Sequence, residues 1–154
     1  MSTFLRIGTT VIWALWFGGV MGLFLSVQVL FHQTDRSVFL ASAPRLFIAF
    51  EQYQLVLAAL ALLLTFSRRI VAPAPGLGSL LILFAIAAIG AIVEHAVITP
   101  RIEEMRIAGQ THTPHFLKLH GLSMCVYLAV AITLFVAGIV QSLTAKRVDA
   151  DVFV

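Results

Sequence analysis

The stretch IGTTVIWALWFGGVMGLFLSVQVLFHQT, residues 7–34, decides the fold, because 28 consecutive residues carry no charge and most are large and apolar. A helix rises about 1.5 Å per residue, so about 20 such residues cross the hydrocarbon core of a bilayer and this run has length to spare. A secretory signal has a shorter apolar core, of about 7–15 residues, ending close to a small-residue cleavage site. Here the run stops well before Ala41-Ser42-Ala43. It is expected to remain as a first membrane span.

The rest of the chain agrees. Of 154 residues, 60% are hydrophobic and 11% charged, with a mean hydropathy of +1.02. A soluble domain carries about 25% charged residues, so a water-soluble globular protein is excluded. Ten Lys and Arg against seven Asp and Glu leave +3, and no basic run exceeds two residues. That excludes a nucleic-acid surface and leaves the lipid bilayer as the first partner. The single cysteine, Cys125, cannot form an intramolecular disulfide.

Three further apolar segments follow, and the four spans are expected at about 7–31, 45–66, 77–98 and 115–143. Pro44 suits the first position of the second helix, where its missing N–H has no partner to lose. Ser67-Arg68-Arg69 and then Pro73 to Gly78 close that helix. Thr99-Pro100 reads as an N-cap and first-turn proline, opening a short helix that ends before Gly109. This piece is expected either to kink away as an extension of the third span or to lie at the interface, with Ile98, Ile102 and Met105 on one face. The expected fold is therefore all-α: a single-domain (1–154) integral membrane four-helix bundle, up-down-up-down, with both termini on one side.

Arg6, Arg68, Arg69, Lys146 and Arg147 lie on the terminal side, with Arg36, Arg45, Arg101, Arg106 and Lys118 opposite. The first set flanks the spans directly, which favours cytoplasmic termini and, for a prokaryotic chain, the inner membrane.

This topology gathers the chemistry at the other face. All five histidines, His32, His95, His112, His115 and His120, fall there, along with Gln28, Glu51, Gln52, Gln54, Glu94, Ser123 and Tyr127. Glu51 lies about 10 Å inside the expected start of the second helix and Glu94 about as far inside the end of the third. Burying a carboxylate there costs about 2–3 kcal/mol even on permissive insertion scales. Glu51, Glu94, His95, His120, Ser123 and Arg101 form the candidate polar site. Against it, Glu94 and His95 point about 100° apart on a regular helix, so only a distorted backbone lets both face one small ligand. Glu51 could equally be paired with Arg45 or His120, in a cluster that only sets helix register.

Metal and cofactor chemistry has weaker support. His112, His115 and His120 have poor alignment for a metal triad on a helix. Met21, Met124 and Cys125 are soft enough for copper but scattered. Haem b needs two facing imidazoles, for which His95 and His120 are the natural pair, with Ala87, Ala88, Gly90 and Ala91 as a small-residue groove. Gly18 and Gly22 form a small-xxx-small pair suited to close helix contact.

From Trp13 to Gly138 the chain resembles the transmembrane protein 205 family, whose members form a four-helix membrane domain of unknown function. The likeness rests on Trp16-Phe17-Gly18-Gly19, Val29-Leu30-Phe31, Thr99-Pro100-Arg101-Ile102 and Phe116-x-x-x-His120-Gly121-Leu122-Ser123. Gln28 stands where that family is expected to have proline. The resemblance implies no reaction; it marks Pro100, Arg101, His120, Gly121 and Ser123 as motif residues.

Three functions fit these features. One is a non-enzymatic membrane protein whose Glu/His cluster handles a proton, a metal ion or a small solute, as a homo-oligomer or beside a membrane partner. Another is a haem b redox protein using His95 and His120. The last is a structural or assembly subunit docking a partner through Ile102 and Met105. No nucleophile-base pair, phosphate loop or carboxylate dyad suggests an enzyme.

Overall fold

The computed structural model describes the backbone of residues 2–150 and the side chains of residues 3–144. Its helices are α1 (Ser2–Gln33), α2 (Arg36–Val71), α3 (Leu77–Val93), α4 (Thr99–Ile107) and α5 (Pro114–Ala150), with a π-helical turn at Glu94–Ile98 joining α3 to α4. Four helical rods are long and apolar enough to cross a membrane: α1, α2, the α3–π–α4 rod and α5. No strand occurs among the described residues. Neighbouring helices pack α1 on α2, α2 on α3, α3 on α5 and α5 on α1, which closes the bundle. The protein is thus an all-α, multi-pass membrane protein.

Two boundaries differ from expectation. The second span begins at Arg36, not Arg45, and Pro44 lies inside the helix. The break falls instead at Thr34-Asp35, where Asp35 takes an extended backbone. Residues 36–43 contain neither glycine nor proline and continue readily as helix. The Leu40 carbonyl loses a donor at Pro44, a defect that membrane helices absorb through neighbouring groups.

The other difference is at Thr99-Pro100. Of the two forms expected for the piece after the third span, it takes the extension of α3, but Thr99 makes no cap. Pro100 has no N–H for the Ala96 carbonyl, and its ring needs room beside that carbonyl. Widening the preceding turn supplies the room: the Thr99 N–H donates to the Glu94 carbonyl, five residues back. The rod ends at Gly109, whose φ of 71° suits a helix stop.

Along the middle, the core is built from small side chains wedged by a few large ones. Ala61, Ala87, Ala91 and Ala137 are fully buried, as are Trp16, Phe84 and Leu134. Trp16 stacks on Phe84 with ring centroids 6.3 Å apart. The close helix approaches are not at Gly18 and Gly22, where an added Cβ would meet nothing within 4 Å. Gly138 of α5 instead lies under the Trp13 indole, where a Cβ would come within 2.2 Å of the ring. The same indole donates to the Leu134 carbonyl at 2.7 Å, tying α1 to α5. Exposed leucines, isoleucines and valines on every rod, among them Leu25, Leu63, Ile82 and Leu128, present an apolar outer surface to lipid.

Candidate functional site

Glu51 is fully buried on α2, and its carboxyl is the meeting point of donors from two other rods. Oε1 accepts from the Thr99 hydroxyl of α4 and, at 3.2 Å, from the Tyr127 hydroxyl of α5. Oε2 lies 3.1 Å from Nδ1 of His95, in the π turn. An ionised carboxylate has only lone pairs to offer, so Nδ1 then carries the hydrogen and Nε2 is left as the outer nitrogen. His95 keeps 38% of its side-chain exposure, whereas Glu51 has 1%. The imidazole therefore stands between a sealed carboxyl and the surroundings of the bundle.

Beside this lies a second carboxyl. Glu94 is buried, and its Oε1 accepts from the buried Ser123 hydroxyl, one turn from Tyr127 on α5. Its Oε2 has no partner among the described residues, nor has the buried Oε1 of Gln54, one turn from Glu51. The two carboxyls are linked through α5, whose Ser123 and Tyr127, one turn apart, donate to one each. The Pro100-induced turn explains how adjacent residues serve both: Glu94 turns to α5 while His95 turns to α2. The π turn is the backbone distortion that joint use of the two neighbours requires.

The remaining candidates are placed differently. His120 is exposed on α5, stacked on Phe116 at 6.1 Å between centroids, and has no hydrogen bond to either glutamate. Arg101 is exposed, and the basic side chain facing Glu51 is His95 rather than Arg45 or Arg101. An added Cβ at Gly121 would meet nothing within 4 Å, so no neighbouring backbone approaches there. Thr99, read from sequence as a cap, is instead a donor to Glu51; its spacing of four from His95 places both on one side of the rod.

Haem does not fit these residues. Gly90 of the expected groove is filled by Val130, 2.7 Å from where its Cβ would stand, and Ala87 and Ala91 are sealed in the core. Among the described residues no three His, Cys, Asp or Glu side chains come together to hold a metal ion. Cys125 is exposed, as are Met21 and Met124.

Inward from Gln54 the bundle is closed. Leu57, Ala58 and Ala61 of α2 face Phe84 and Ala87 of α3 and Val130 and Leu134 of α5, all buried in one apolar cluster. The polar site thus ends against an apolar core among the described residues.

Comparison with known proteins gives a family with no assigned activity. No curated protein and no solved structure matches the chain. The family described as a domain of unknown function, DUF4149, matches residues 11–111. That span runs from α1 to just beyond α4 and includes Glu51, Glu94, His95 and Thr99, while Ser123 and Tyr127 lie outside it. With about two thirds of its length matched, this four-span membrane chain belongs to the DUF4149 family.

Proposed function

We propose that this is a non-enzymatic membrane protein that takes up and releases a proton at Glu51, with His95 passing it between the carboxyl and one membrane face. The observation that carries the reading is the pairing of a sealed carboxyl with a half-exposed imidazole. A proton on Glu51 can move to Nδ1 while Nε2 exchanges with the outside, and the Thr99 and Tyr127 hydroxyls hold the carboxyl in place. A buried ionisable group in a membrane helix is costly unless it has such partners. The likeness to transmembrane protein 205 is part of this reading and assigns no reaction of its own.

The closed core below Gln54 favours a role in which a second copy or a membrane partner completes any route across the bilayer. The test is infrared difference spectroscopy of the protein in nanodiscs during pH titration. A titrating carboxyl band that disappears in Glu51→Gln and shifts in His95→Gln supports the proposal. Identical spectra for wild type and both variants, with the variants folded, reduce the cluster to a helix-register device.

A further inference from the structure

The opposite end of the bundle holds a cation of unusual placement. Arg68 is only 7% exposed, and its Nη1 has no hydrogen-bond partner among the described residues. The Thr65 hydroxyl, one turn earlier on the same face of α2, is also buried and without a partner. Every acid with a described side chain, Asp35, Glu51, Glu94, Glu103 and Glu104, belongs to the other half of the bundle. Lys146, Arg147, Asp149 and Asp151 follow in the sequence, with their side chains outside the described residues.

The Arg68 guanidinium thus keeps a buried N–H, at Nη1, with no acceptor among the described residues. Position in the membrane says which kind. Arg68 sits three residues before the end of α2, where the rod emerges from its apolar stretch. That is headgroup depth, and phosphate oxygens match the planar fork of an arginine.

We propose that Arg68, with Thr65 beside it, binds a phosphate group at the face carrying the termini, supplied by an anionic phospholipid or by free phosphate. Arg68 supplies the directed hydrogen bonds from its unpartnered Nη1. Anionic lipids concentrate in cytoplasmic leaflets, so selective retention of such a lipid would favour the cytoplasmic side for this face. The inference is independent of the Glu51 proposal.

The experiment is native mass spectrometry of the full chain released from nanodiscs of phosphatidylglycerol or of phosphatidylcholine, with a parallel thermal-stability titration using inorganic phosphate. Selective retention of phosphatidylglycerol is expected. It should weaken about tenfold in Arg68→Gln, the worth of one charge-assisted hydrogen bond. The exposed neighbour provides the control, since Arg69→Gln should change retention by less than about twofold. Arg68→Lys, which keeps the charge and is the safer variant for folding, should lie between wild type and Arg68→Gln. Stabilisation by phosphate without lipid selectivity, lost in Arg68→Gln, supports the site with the free anion as its ligand. Equal lipid retention by wild type, Arg68→Gln and Arg68→Lys, or no response to either ligand in wild type, overturns it.

Discussion

Replacing Glu51 by glutamine or by leucine separates its role as an acceptor from its role as an acid. Leucine leaves the Tyr127 hydroxyl, on a residue 1% exposed, without its acceptor, at a cost of about 1–3 kcal/mol. The Thr99 hydroxyl can turn back to a carbonyl of its own helix and loses about 1 kcal/mol. His95, still 38% exposed, finds another partner outside. The sum is a loss of about 2–4 kcal/mol for Glu51→Leu. Glutamine keeps the shape: its amide oxygen can accept both hydroxyls, and its NH2 can donate to Nδ1 once His95 changes tautomer. Its cost is within about 1 kcal/mol. Both variants remove the acid, so the expense of holding a carboxylate at that depth cancels in their comparison. Unfolding of the purified variants in mixed micelles, followed by circular dichroism against denaturing detergent, measures the difference. Equal stability of the two variants would refute the description of Glu51 as a three-donor hub.

Two other outcomes test the frame around the site. Gly138→Ala forces the Trp13 ring away from α5, and overpacking with loss of the indole bond costs about 2–4 kcal/mol; an unchanged unfolding midpoint and unchanged tryptophan emission contradict it. Pro100→Ala lets the π turn relax to a regular helix and carries Thr99 away from Glu51. Thr99→Ala should therefore cost about 1–2 kcal/mol in the wild type and close to nothing in the Pro100→Ala background; equal costs in both backgrounds count against proline as the cause of the turn.

Much of the molecule was legible from hydropathy, since lipid admits few arrangements of a polar backbone other than helices. The four spans follow from where charges are missing, and the burial of Glu51 and Glu94 from where charges intrude on them. Local rules misled at prolines. Pro44 marks a helix start in water but lies inside α2, and Pro100 lengthens a turn rather than opening a helix.

On α5, spacing places residues on a common stripe without fixing which of them a neighbouring helix covers. His120 and Tyr127 are two turns apart on one stripe, yet Tyr127 is buried against Glu51 while His120 is exposed. Spacing alone does not say how far along the rod the packing of neighbours extends. The Thr99 bond was hidden because a threonine before proline has a more familiar use as a cap.

Glu51 and Arg68 share one helix, 17 positions apart, or about 25 Å at 1.5 Å per residue. If Arg68 marks one edge of a roughly 30 Å hydrocarbon layer, Glu51 lies only about 5 Å inside the other. A proton reaching it crosses about a sixth of the transmembrane field, worth about 0.4 kcal/mol per 100 mV. Protonation of Glu51 should therefore follow the pH of its own face and be nearly blind to the membrane potential.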